Sequence, residues 1–234
     1  IMLLPGIVYL IINNYLPMGG LVIAFKKVNY AVGIFNSPWA GLSNFKFLFS
    51  NNDALNALRN TVLYNLGFIL FGNILAITVA IALDCVKSKF LKRFSQVVIL
   101  IPYLLSTVIV SYIVYAFLNP TNGFVNNSVL PLLGIDPIKW YNVPKYWPVI
   151  LTIVYLWMSF GYSSILYYST IIGIDKSLYE AAVMDGATTW KQICHVTLPS
   201  LKFTIITLVL LAVGRICYSD FGLFYQVPQH SGLL

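Results

Sequence analysis

The chain has 234 residues, of which 59% are hydrophobic and only 9% charged, whereas a soluble domain carries roughly a quarter charged residues. With a mean hydropathy of +0.82, this excludes a water-soluble globule, and it excludes disordered, collagen-like and coiled-coil chains, which need high polarity or a strict short repeat. A polytopic membrane protein remains, in which the formal charge of +7 belongs to cytoplasmic loops rather than to a nucleic-acid partner.

A helix needs about 20 apolar residues to cross the hydrocarbon, so the uncharged runs read as spans. In chain order they are 1–25, closed by Lys26-Lys27; 60–83, between Arg59 and Asp84; 95–118, before Asn119-Pro120-Thr121-Asn122-Gly123; 146–174; and 203–219, which contains Arg215. These runs far exceed the strands of a membrane barrel, so the class is all-α, a membrane helix bundle with five spans. Interruptions at Pro17-Met18-Gly19-Gly20, Gly72-Asn73 and Pro102 read as packing sites whose freed backbone groups neighbours satisfy, with a mobile gate as the alternative. The sequence opens on Ile1 inside an apolar run, so a preceding cytoplasmic segment is expected.

Lys87, Lys89, Lys92 and Arg93 crowd the short segment 85–94, which places it in the cytoplasm. Alternation puts 173–202 on the same side and 26–59 and 119–147 outside. Trp39, Trp140 and Trp147 on the outer side suit an interfacial aromatic belt, with sugar stacking or partner docking as the alternative. Cys85, Cys194 and Cys217 are scattered, so they read as apolar fillers and not as disulfide, metal or redox residues. Asn126-Asn127-Ser128 completes no glycosylation acceptor.

The segment 175–199 has a grammar of its own. Ser177-x-x-Glu180 and Thr189-x-x-Gln192 read as capping boxes, and Gly186 as the left-handed residue that ends the first helix. Pro199 reads as the start of the fifth span, where its missing N–H costs little. The expected module is two short helices joined by a glycine turn at the inner face; a partner-binding device and an ordinary connector both fit. Within the fourth span, Tyr155, Met158, Ser159 and Tyr162 recur at i, i+3, i+4 and i+7, so they share one helix face. A substrate path and a packing stripe both fit that face. An intramembrane Arg marks a functional hypothesis; for Arg215, Asp220 is a candidate partner and snorkelling to the outer surface the alternative.

Glu180-Ala181-Ala182, Gly186 and Val196-Thr197-Leu198-Pro199 resemble the EAA loop of ATP-binding-cassette (ABC) importer permeases, with Val where Ile is commoner. The longer string Leu178-Tyr179-Glu180-Ala181-Ala182-x-x-Asp185-Gly186-Ala187 is similar to the carbohydrate, maltose-type branch. So are Leu42-Ser43-Asn44-Phe45 with Asn60-Thr61, Ile101-Pro102-Tyr103, and Phe117-Leu118-Asn119-Pro120 with Gly123. Tyr15-Leu16-Pro17-Met18-Gly19-Gly20 with Ala24-Phe25-Lys26, and Asp220-Phe221-Gly222-Leu223-Phe224, look more specifically like the LplB-type polysaccharide and oligosaccharide permeases.

This resemblance implies a type I (MetI-like) permease domain over 1–234, a fragment whose sixth helix is expected beyond Leu234. It implies that Glu180, Ala181, Ala182, Asp185 and Gly186 dock into a cytoplasmic ATPase dimer, and that ATP and Mg bind there. Tyr155, Met158, Ser159, Tyr162, Ala212, Arg215 and Ser219 correspond to positions lining the sugar site of maltose-type permeases. The further implied partners are a second permease subunit, an external sugar-binding protein and the carbohydrate itself. The chain has no P-loop, so ATP hydrolysis by the chain itself is not expected. The rivals are a permease for peptides or amino acids, a channel, and a membrane-embedded enzyme, against which the seven dispersed acids and the separate His195 and His230 speak.

Overall fold

The computed structural model describes residues 3–50 and 52–229, with the side chains of 47–49 left aside. Among the described residues the chain is helical, without strands beyond an isolated pairing of Lys26 with Trp39. It forms two compact units divided after Asn60.

In the first unit, α1 (Leu4–Phe25) is long and apolar enough to cross a membrane and is exposed along its length except at the half-buried Ala24. At its end Lys26 is buried; its Nζ donates to the Phe35 carbonyl at 2.6 Å and the Ile34 carbonyl at 3.3 Å, and lies 5.5 Å above the Trp39 ring. Asn44, on α2 (Ser43–Ser50), donates to the Ala24 and Lys26 carbonyls, which ties this loop to the helix end.

The second unit begins within α3 (Asp53–Cys85), a 33-residue helix. This helix continues through Gly72-Asn73 without a break, because Asn73 bonds back to the Ile69 carbonyl and accepts the hydroxyl of Tyr167. α4 (Lys89–Leu104) and α5 (Thr107–Leu118) meet at 96°, so the third expected span is sharply bent rather than straight. Leu105 and Ser106 are extended, and Ser106 accepts the Ile109 N–H as a cap. With Pro102 just upstream lacking a donor, this favours a new helix over continuation of the old one. α6 (Trp147–Ile172) and α7 (Lys176–Met184) follow, then α8 (Thr189–Ser200) and α9 (Lys202–Val213), bent by 56°. The fifth span therefore ends at Val213 and not at 219, and Pro199 sits in the last turn of α8 rather than opening the span.

Prolines explain a recurrent irregularity. Four widened π-helical turns, Ile11–Tyr15, Val125–Val129, Ile193–Thr197 and Gly222–Gln226, each end two residues before a proline: Pro17, Pro131, Pro199 and Pro228. A proline ring clashes with the carbonyl four residues back and offers that carbonyl no N–H. One wide turn moves the carbonyl aside and lets the helix continue.

Two cores hold the second unit. One gathers Phe68, Val110, Trp147, Leu151, Val154, Leu223 and Val227; the other gathers Ala76, Ala80, Tyr167, Ile171 and Leu201. Helices in lipid associate through close packing, which favours small residues at crossings. Gly161 is the extreme case, since a Cβ there would lie 1.8 Å from the Ile99 carbonyl oxygen of α4. Trp147 is wholly buried and Trp140 donates from Nε1 to Asn126 at 2.9 Å, so of the expected aromatic belt only Trp39 is exposed.

Candidate functional site

The 175–199 module is stiffened from within. Asp175, not Ser177, caps α7, its carboxylate accepting the Ser177 N–H at 2.9 Å. That bond, then the Ser177 hydroxyl, holds the Asp175 carboxyl below its ordinary range. Thr188 likewise replaces Thr189 as cap of the second helix, accepting from the Lys191 N–H. Both expected boxes are shifted because several good cap residues stand in a row and the chain's entry angle decides between them. Gly186 has φ +72°. Around it the Ala187 N–H donates to the Ala182 carbonyl and the Gly186 N–H to the Val183 carbonyl, both at 2.9 Å, the pair of bonds that defines a Schellman end.

Glu180, Ala181, Asp185 and Gly186 are exposed on this module and Ala182 is half-buried. Beside them Met184 is 87% and Trp190 71% exposed, with Val183 also exposed. A bond that the sequence pattern did not suggest, from Tyr179 to Thr197 at 2.9 Å, joins α7 to the buried Thr197 in the wide turn of α8.

The four residues of the fourth-span face occupy α6, but they do not form one open wall. Tyr155 and Met158 are half-buried against the first core, and the Tyr155 ring lies on Phe68 with centroids 3.8 Å apart. Ser159 is half-buried. Tyr162 is 47% exposed and stacks at 4.9 Å on Tyr103 of α4. Such paired rings present flat apolar faces with hydroxyl edges, which suit a ligand that is itself part apolar and part polar.

On the other side, Ala212 is half-buried in the last turn of α9, while Arg215 and Ser219 lie exposed beyond the helix. Arg215 does not pair with Asp220. Its guanidinium lies 4.6 Å over the Tyr218 ring, whereas Asp220 accepts the Leu223 N–H. The turn that follows packs Leu223 and Phe224 into the same core as Tyr155 and Met158, which brings this end of the chain to the fourth-span face. Among the described residues an ion pair joins Lys92 and Asp84 at 3.9 Å, and Lys92 also lies over the Tyr168 ring. The unwound stretch 214–218 is held by Asn65, which donates to the Ile216 and Tyr218 carbonyls. Asn65 has no motif around it that sequence reading could have used.

Residues 72–219 match the family model described as binding-protein-dependent transport system inner membrane component. Protein LplB of Bacillus subtilis (strain 168) is 32% identical over 98% of this chain and 72% of its own length. The polygalacturonan/rhamnogalacturonan transport system permease protein YteP of the same organism is 34% identical over 92% of this chain and 66% of its own length. Among solved structures, a bacterial alginate ABC transporter in complex with an alginate pentasaccharide-bound periplasmic protein aligns with TM-score 0.87 and 32% identity. That alignment covers 99% of this chain and 76% of the matched one. The chain thus spans about two thirds to three quarters of the length of these three proteins.

Proposed function

The chain belongs to the binding-protein-dependent transport system inner membrane component family, a family of transport permeases and not of enzymes, and from that membership we propose that it passes an oligosaccharide across the cell membrane by alternating access, driven by ATP. The observation that carries the reading is the 175–199 module. Its capped helices, Schellman turn at Gly186 and exposed Val183, Met184 and Trp190 make a stiff, apolar face bonded to the base of the fifth span through Tyr179 and Thr197. A face of this kind can seat in a cleft of a moving partner and transmit its displacement as a rigid body.

In this reading Glu180, Ala181, Ala182, Asp185 and Gly186 contact an ATPase dimer that holds ATP and Mg, on the cytoplasmic side marked by Lys87, Lys89, Lys92 and Arg93. A second permease subunit completes the pathway, and an external binding protein delivers the sugar, as the periplasmic protein in the aligned alginate structure suggests. The carbohydrate class is supported by the names of the relatives and by the exposed Tyr103–Tyr162 ring platform. Tyr162 is the exposed member of the face that Tyr155, Met158 and Ser159 continue into the core, on one side of the path, and Ala212, Arg215 and Ser219 lie on the other. Aromatic faces stack on sugar rings while the Arg fork binds hydroxyl or carboxylate oxygens.

Reconstituting the complete importer in vesicles and offering galacturonan, alginate and neutral gluco-oligosaccharides of three to five units tests this directly. ATP-dependent uptake of at least one, lowered about tenfold by Tyr162→Ala with the complex still assembled, is the expected result; a stacked base or ring removed by alanine substitution costs about 1–3 kcal/mol in comparable sites. Uptake of none of them, with peptides taken up instead, would overturn the sugar assignment.

A further inference from the structure

Asn65 lies half-buried on α3, and its Nδ2 donates to the Thr61 carbonyl of its own helix at 2.9 Å, to the Ile216 carbonyl at 3.0 Å and to the Tyr218 carbonyl at 2.9 Å. A carboxamide has two N–H groups, so three acceptors share them and none of the donor capacity is left over. In a continuous α-helix the carbonyls of 216 and 218 would point about 200° apart around the axis. Here they converge on one nitrogen, because the chain has left the helix after Val213 and turns through tight bonds from the Arg215, Ile216 and Tyr218 N–H groups to carbonyls three residues back. Arg215 sits inside this turn, its guanidinium over the ring of Tyr218, whose own carbonyl Asn65 holds.

We infer that Asn65 is a positioning residue for the transport path: its carboxamide clamps the broken end of the fifth span and thereby fixes the turn from which Arg215 projects. The inference rests on the reading of Arg215 as a path residue. It assigns a role to a residue outside both walls of the path, acting entirely through backbone carbonyls. A helix end whose carbonyls were left to solvent would tolerate Asn65→Ala; an end held by a single side chain would not.

Cys217 lies between the two clamped carbonyls and is exposed, so its thiol reports on the order of the turn without any substrate. In the assembled importer with Cys85→Ser and Cys194→Ser, a methanethiosulfonate reagent is expected to label Cys217 about tenfold faster in Asn65→Ala, the factor that corresponds to one hydrogen bond of about 1.4 kcal/mol. Asn65→Gln, which keeps the donor on a longer arm, is expected to label more slowly than Asn65→Ala. For the oligosaccharide that the parent importer takes up from the galacturonan, alginate and gluco-oligosaccharide series, Asn65→Ala and Arg215→Ala should each raise KM by about tenfold. The double variant should be no worse than Arg215→Ala alone, because residues acting through one contact are not additive. Unchanged labelling of Cys217, additive losses in the double variant, or failure of both Asn65 variants to assemble would each overturn the inference. Normal uptake in Arg215→Ala would overturn the path reading of Arg215 together with it, whereas additive losses would leave that reading standing.

Discussion

The 175–199 module and the end of the fifth span after Val213 are both places where a helix stops, yet they are held in opposite ways. At 175–199 the bonds are local: Asp175 to Ser177, Ala187 to Ala182, Thr188 to Lys191, with the longest, Tyr179 to Thr197, spanning 18 residues. At 214–218 the stop is held by Asn65, 151 residues from Ile216 and 153 from Tyr218. Local bonds keep a part rigid whatever its neighbours do, which suits a face that must move as a body. A long-range bond makes the shape of one helix end depend on where another helix stands, which suits a site whose access changes.

The most severe loss is expected at the crossing of α4 on α6, within the unit that carries both helix ends. Gly161→Ala places a methyl group 1.8 Å from the Ile99 oxygen, and backbone cannot yield as a side chain does. A destabilisation of about 3 kcal/mol is expected, at the upper end for an overpacked core, read as a lowered melting temperature of the purified complex; an unchanged melt would mean that α4 and α6 are free to part. Gly186→Val strikes the local half next. A β-branched residue at φ +72° costs about 2 kcal/mol, so uptake should fall at least tenfold while the protein level in the membrane stays normal. Equal uptake would remove the mechanical role of the turn.

Tyr179→Phe sharpens the comparison with a smaller effect. It deletes the bond to Thr197 without altering the local caps, and a loss of about 1 kcal/mol is expected, seen as faster amide exchange across α7. If exchange across α7 did not change, local bonds alone would account for the stiffness of the module. The smallest effect concerns pH. Asp175 has its carboxyl held below the usual range by the Ser177 N–H and then the Ser177 hydroxyl. Its contribution is therefore present above the ordinary carboxylate pKa and lost as pH falls through the lowered one. The amide resonance of Ser177 should titrate at acid pH in the parent and stay flat in Asp175→Asn, which keeps an acceptor at the cap. A titration in both would assign the effect to another group.

What was legible in the sequence follows the same division. Periodicity and uncharged runs gave the helical class, and Gly186 read correctly as the left-handed end of α7, since both depend on neighbours along the chain. The caps were displaced, to Asp175 and Thr188, because Ser, Thr and Asp are near-equal in propensity and the backbone entry angle chooses. The 96° bend after Leu104 and the end of α9 at Val213 were not legible in runs of hydrophobicity, which do not record where a cap or a distant Asn interrupts them. The Tyr103–Tyr162 stack and the Asn65 clamp join residues remote in sequence, and no local pattern announces them. Arg215 stands out in the sequence as a charge within an apolar run, but its partner is the neighbouring Tyr218 ring rather than Asp220.

The central claim is that the module's apolar face lies in the cytoplasm and is covered by an ATPase. Met184, at 87% exposure, is its most direct probe. In cells carrying Met184→Cys with Cys85, Cys194 and Cys217 replaced by Ser, a membrane-impermeant maleimide added outside should leave the new thiol unlabelled. After permeabilisation it should label, and more slowly when the ATPase subunits are co-expressed than when they are absent. Labelling in sealed cells, or a rate indifferent to the ATPase, would contradict the account.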